Sequence, residues 1–147
     1  MSGMTPSYIY RHRVTFDETN LVGNVYFAHY LHWQGHCREN FLAEHAPGVL
    51  VDLSAGLALV TVSCSAEFYA ESSAFDLVEV HMTLEHITGN RIGMCFEYRR
   101  PRELLARGWQ TVACMQRTAQ GLETAAVPTE LRRALVPFTA PARAVQA

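Results

Sequence analysis

VTFDETNLVGNVYFAHYLHW, residues Val14 to Trp33, passes from a β-like run through a polar loop into an amphipathic helix. The run ends at Phe16, the loop covers Asp17 to Asn24, and the helix opens near Val25. This order brings polar side chains and a helix N-terminus to one spot, a common arrangement for holding an anion or a developing oxyanion. Gly23 permits a positive φ or a close backbone approach there. Further along, Arg38 puts a charge on the otherwise apolar helix face. These features predict a buried active site at a loop–helix junction.

The helix runs from about Val25 to Glu44, capped by Gly23 or Asn24 and ended before Pro47-Gly48. Phe27, Tyr30, Leu31, Gln34, Cys37, Arg38, Phe41 and Leu42 fall on one side of it; His29, His32, His36, Glu39 and Asn40 fall on the other. The first side is expected to bury against a sheet. Tyr8 to Phe16 reads as a first strand, and Leu57–Ala70, Asp76–Ile87, Arg91–Arg100 and Leu104–Thr118 read as four more. Val78, Val80, Met82 and Leu84 alternate with Glu79, His81, Thr83 and Glu85, so one strand face is buried and the other wetter. Gly89-Asn90 suits a hairpin turn. Pro128 to Leu135 adds a short terminal helix, and Thr139 to Ala147 reads as a loose tail. Strand, long helix, then four strands predicts an α+β domain over residues 1–147, with a five-stranded antiparallel sheet around one helix.

Composition narrows the function. The chain has 147 residues, 49% of them hydrophobic, and a formal charge of −2, so it lacks the basic footprint of a nucleic-acid binder. No apolar run approaches the roughly 18 residues of a membrane span, and Met1 to Arg13 lacks the hydrophobic region of a signal peptide. Cys37, Cys64, Cys95 and Cys114 form no C-x-x-C pair, which suits free thiols in a cytoplasmic setting. Every basic residue is arginine, so Schiff-base chemistry, a P-loop lysine and a Ser–Lys dyad are excluded.

Phe16, Glu18, Asn20, Gly23, Val25, Tyr26 and Tyr30 resemble the F-x-D-x-D-x-x-G-x-V motif, with its following helix tyrosine, of hotdog-fold thioesterases of the 4-hydroxybenzoyl-CoA thioesterase type. The expected element order matches that family over nearly the whole chain. Asn20 stands where the family carries its usual catalytic aspartate, and an amide serves neither as nucleophile nor as carboxylate base. Asn20 together with Arg38, Tyr30 and the Leu59-Val60-Thr61-Val62 strand is similar to the thioesterases of enediyne polyketide pathways. The resemblance implies hydrolysis of a long polyene or β-ketoacyl chain from the acyl carrier protein of an iterative polyketide synthase, with decarboxylation of the β-keto acid to a methyl ketone. It also implies a homotetramer built as a dimer of dimers, with sites at the dimer interface, and no metal or organic cofactor. A general acyl-CoA thioesterase and a non-catalytic polyene-binding hotdog module are the alternatives.

Each candidate residue has a functional and a structural reading. Arg38 either donates hydrogen bonds to the thioester oxygen, the oxyanion or the β-keto group, or it sits in a structural ion pair with a residue such as Glu67 or snorkels to solvent on its long stem. Asn20 either orients water or carbonyl, or is a turn residue. The Phe27 backbone N–H is the expected oxyanion donor. Tyr30 and Thr61 line the cavity or are ordinary core and strand residues, and Glu18 and Glu67 are either general bases or surface or ion-paired residues. Cys37 is a packing thiol rather than a nucleophile. His29, His32 and His36 mimic a metal cluster by spacing, but a solvated or interface face is the expectation. Arg99, Arg100, Arg102 and Arg107 surround the Pro101 turn, as a solvated hairpin end or as a receptor for phosphopantetheine or an acidic carrier protein.

Overall fold

The computed structural model describes residues 6–141. Among them an antiparallel sheet curls around one long helix. Its path runs β1 (Tyr8–Arg13), β3 (Leu77–Thr88), β4 (Arg91–Arg100), β5 (Glu103–Thr118) and β2 (Leu57–Phe68). A short β6 (Gly121–Thr124) pairs with the end of β5, so the five expected strands are joined by a sixth. β6 is exposed at every position and left no hydrophobic pattern to read. The expected alternation holds on β3, where Val78, Val80, Met82 and Leu84 are all buried. Gly89-Asn90 makes the β3–β4 turn, with Gly89 at φ +60°.

α1 spans Ala28–His45, and Tyr30, Trp33, Gln34, Cys37, Phe41 and Leu42 are its buried residues. It begins later than the expected Val25. Val25 N–H bonds the Ser72 carbonyl at 2.9 Å, and isolated bridges join Thr19 to Val25 and Asn24 to Ser73. The chain is therefore held extended by the 71–76 loop and turns helical only after Phe27. Asn24 does not cap the helix; its side-chain N–H donates to Glu71 at 3.0 Å. Phe27, expected on the buried side, is 55% exposed, and Trp33 is fully buried in its stead.

α1 ends at His45, before Pro47-Gly48 as expected, and Pro47 also opens an unexpected α2 (Pro47–Ser54), with proline at the position where its missing N–H costs nothing. β1 ends at Arg13 rather than Phe16, because Phe16–Glu18 forms a 3₁₀ turn. α3 (Thr129–Leu135) closes the open end of the core with buried Leu131 and Leu135. The expected tail is pinned at its start: Thr139 bridges Leu84, and Ala140 N–H donates to the Leu84 carbonyl at 2.7 Å. The rest of that tail, and the first residues of the segment read as lacking a leader, lie outside the described residues. No described helix is long and apolar enough to cross a membrane.

Candidate active site

Charged and polar side chains gather at the N-terminal end of α1 and along its middle. At its N-terminal end, Thr15-Phe16-Asp17-Glu18 forms a capping box that returns the Glu18 carboxylate to the Thr15 N–H at 3.0 Å. The same carboxylate accepts from His12 Nε2 at 2.8 and 2.9 Å and from the Trp33 indole N–H at 2.8 Å. Burial pushes the Glu18 carboxyl up, but the hydrogen bonds from His12, Thr15 and Trp33 outweigh it and hold the pKa down to about 2. A carboxylate so occupied fastens β1 and the loop to α1; it has no lone pair facing a substrate. The T-x-x-E spelling of this contact is legible in the sequence, although the reading of Glu18 there was a base or an ordinary ion pair.

Nearby, the Tyr30 hydroxyl pairs with the buried Ser72 hydroxyl at 2.7 Å, and burial raises the Tyr30 pKa. The Tyr98 hydroxyl donates to the Tyr30 carbonyl at 2.7 Å. Asn20 is exposed, and its side-chain oxygen accepts the Val22 N–H at 2.9 Å, an Asx turn. Among the described residues nothing accepts the Phe27 N–H, which leaves it free at the mouth of the helix.

Arg38 lies about 16 Å along the helix from Phe27, at ~1.5 Å rise per residue. Arg38 therefore stands just past the middle of α1, away from the Asn20 loop, and the two share no hydrogen bond among the described residues. The guanidinium is largely buried, and among the described residues no carboxylate comes within ion-pairing distance of it. Glu67, the partner considered from sequence, accepts instead from the Tyr69 hydroxyl at 3.2 Å. Burial lowers the Arg38 pKa and outweighs the opposing pull of the neighbouring Glu39 carboxylate, which lies beyond ion-pairing distance. Its one side-chain partner is Gln110 Oε1 at 2.9 Å.

Gln110 and Gln34, both buried, form a polar chain inside the core that sequence reading left without a role. Their signal was present: Gly108, Gln110, Val112 and Cys114 are alternate, inward positions of β5, and glutamine is the odd member. Arg38 also walls a narrow cavity with Phe41, Leu59, Met82, Ile92, Val112 and Leu135. Its free space is about 10 Å³, close to that of one water molecule. Thr61 is exposed on β2, opposite Val112 in register.

The remaining candidates separate clearly. Cys37 is fully buried and burial pushes its thiol pKa up, the opposite of what a thiolate nucleophile needs. His32 and His36 are exposed and His29 is half-buried; among the described residues no His, Cys, Asp or Glu group is arranged to hold a metal ion. Arg99 and Arg107 pair with Glu97, and Arg100 pairs with Asp76 and Glu103. Arg102, at φ +66° on the turn tip, makes no ion pair among the described residues.

A helix wrapped by this sheet, an unpaired buried cation at an apolar cavity and a free N–H at the helix mouth are parts suited to polarising an acyl carbonyl. The thioesterase-like superfamily model matches residues 14–135, and the chain belongs to that superfamily: it is a hotdog-fold thioester hydrolase. It is 65% identical to the dynemicin thioesterase, whose structures concern induced fit and allosteric effects upon polyene binding. That match covers 92% of this chain and 99% of the other, with a TM-score of 0.90. The fold is shared more distantly with a 1,4-dihydroxy-2-naphthoyl-CoA thioesterase from Synechocystis (22% identity, 88% and 95% covered, TM-score 0.77). A 4-hydroxybenzoyl-CoA thioesterase variant complexed with 4-hydroxybenzoyl-CoA shares it too (17% identity, 88% and 98% covered, TM-score 0.75). No curated protein sequence matches the chain.

Proposed function

We propose that this thioesterase releases a long polyene β-ketoacyl chain from the acyl carrier protein of an iterative enediyne polyketide synthase. The observation that carries the reading is Arg38: a largely buried guanidinium with no carboxylate within ion-pairing distance among the described residues, set in the wall of an apolar cavity. A cation there stabilises a negative oxygen more than a neutral carbonyl, and that difference is what lowers a barrier. Similarity to the dynemicin thioesterase supports the enediyne assignment.

In this reading, water adds to the thioester carbonyl and gives a tetrahedral oxyanion. Collapse breaks the C–S bond, and the phosphopantetheine thiol leaves with a proton. Asn20 orients the water or the carbonyl, the Phe27 N–H and Arg38 face developing negative charge, and Tyr30 and Thr61 line the approach. No carboxylate nucleophile takes part. The β-keto acid then loses carbon dioxide to give a methyl ketone.

Phe27 lies about 16 Å along α1 from Arg38 and Asn20 precedes it, a separation that fits a site completed by a second protomer. β2 supports this: its outer edge is unpaired and its residues from Val60 to Ser65 are exposed. Leu21, Val22 and Phe27 are exposed on the motif loop as well. Unpaired edges and apolar loop tips are covered by self-association, and a dimer of dimers does so for both. Arg99, Arg100 and Arg102 are the proposed contact for the acidic carrier protein, with Arg102 the residue left without an ion pair. A cavity the size of one water also means that a long chain enters only as its apolar walls move apart.

Co-expression with the polyketide synthase tests this reading. Mass spectrometry is expected to show a released polyene with the wild-type enzyme and little with Arg38→Ala. Equal release by both would refute the role of Arg38, and faster hydrolysis of a matching acyl-CoA than of the carrier-bound chain would favour a general acyl-CoA thioesterase.

A further inference from the structure

We infer that Gln110 is the positioning residue for Arg38, a neutral acceptor that fixes the guanidinium's direction while leaving its charge unpaired for the substrate. This rests on the role proposed for Arg38 above. Arginine has no acceptor atom, so the end of the Gln110 amide that faces it is the oxygen, at 2.9 Å. The other end, Nε2, donates to Gln34 Oε1 at 3.5 Å. Gln34 Nε2 donates in turn to the Ser65 carbonyl on β2 at 3.1 Å. The chain therefore has one direction. A backbone carbonyl, which only accepts, orients Gln34; Gln34 then offers its oxygen to Gln110, and Gln110 has its own oxygen left for Arg38.

The surroundings are built for this chain. Gly108, the inward neighbour of Gln110 on β5, leaves the space that the Gln34 amide fills; a Cβ there would stand 2.2 Å from Gln34 Nε2. Gln34 and Gln110 are both buried, so they reach no bulk water that might orient them instead. A glutamate at position 110 would match the glutamine in shape and keep an acceptor for Arg38. It would also place a full negative charge on the cation in a low-dielectric site, where such a charge is felt strongly. The amide gives direction without neutralisation.

The test compares Gln110→Glu, Gln110→Met and Arg38→Ala on a long β-ketoacyl thioester of the carrier protein, with kcat and KM measured separately and folding checked by melting temperature. Methionine keeps the length but offers Arg38 no oxygen, and the freed guanidinium is expected to lower kcat about 10-fold. Glutamate is expected to lower kcat by on the order of 10²-fold with KM within about twofold, since a neutral ground-state carbonyl senses the charge little. A role in folding alone gives the reverse order, because glutamate preserves the hydrogen bond to Arg38 and methionine does not. That reverse order, or a wild-type kcat in Gln110→Met, overturns the inference. If Gln110→Glu does not assemble, the Gln110→Met kcat decides alone. Full activity in Arg38→Ala removes the reading on which the inference rests; an impaired Arg38→Ala beside unimpaired Gln110 variants removes the positioning role only.

Discussion

Glu18, buried beside α1, and Arg38, largely buried on it, are two charges removed from water, yet their surroundings differ in kind. Glu18 is saturated: a histidine nitrogen, a backbone N–H and an indole N–H occupy its oxygens. Arg38 has one neutral amide and an apolar cavity. A buried charge whose hydrogen bonds are all made within the fold holds the fold together. A buried charge left partly unmade has binding capacity to spare, and the protein bears its desolvation cost for the sake of something that arrives later. Mutation of the first is therefore expected to register in stability, and of the second in turnover.

The largest effect is expected at Glu18. Glu18→Ala strands the Trp33 indole and the Thr15 N–H in the interior and removes the His12 partner, so denaturant unfolding should reveal a loss of about 3–5 kcal/mol. A loss below about 1 kcal/mol would break the comparison on its structural side.

Acid probes the same group without replacing it. The folded Glu18 pKa, about 2, lies below its ordinary 4.5. Its contribution is present in full above that ordinary value and drains away as pH falls through it toward the folded pKa, by an amount of about 3 kcal/mol. Stability measured between pH 5 and 2 should therefore fall more steeply in the wild type than in Glu18→Gln, and parallel curves would contradict the assignment.

Asn20→Ala tests the loop end of the site. The Asx turn to Val22 is a small structural contribution at an exposed position, so the fold should survive. If the amide also aligns the reaction, kcat is expected to fall by on the order of 10²-fold. Unchanged kinetics would make Asn20 a turn residue.

Gly108→Ala sharpens the other end with the smallest change. The added methyl meets the Gln34 amide and disturbs the chain that leads to Arg38. The methyl would also stand 3.1 Å from the Ser65 carbonyl oxygen and 3.2 Å from the Tyr98 hydroxyl, so a lower melting temperature is expected together with a loss in kcat of about 10-fold in the folded protein; a protein that melts early but turns over normally once folded would place Gly108 in packing alone.

Legibility in the sequence followed the range of the interactions. Period-two alternation on β3, the Gly89-Asn90 turn and the misplaced charge of Arg38 are local patterns, and all were readable. The end of α1 before Pro47 was readable as well, whereas the second helix that Pro47 opens was not, since proline suits both a stop and a first helical turn. The start of α1 depends on Ser72 and Ser73 holding residues 24–25 extended, a contact made from far along the chain. The partner of Arg38 is 72 residues away on β5, so the charge was visible while the reason it is unpaired was not. The separation of Asn20 from Arg38 was hidden for the same cause: a resemblance places both in one site, while the helix turns between them set them apart along α1.

The most direct test of the difference between the two buried charges is single-turnover hydrolysis of a carrier-bound β-ketoacyl chain by Arg38→Ala and Arg38→Lys, with melting temperature and oligomeric state recorded on the same samples. The expected result is a rate about 10²–10³-fold lower in Arg38→Ala and partly restored by lysine, whose ammonium keeps the charge but lacks the planar fork, in oligomers that melt near the wild type. Wild-type turnover in Arg38→Ala, or collapse of the fold in both variants, would contradict it and make Arg38, like Glu18, a residue of the scaffold.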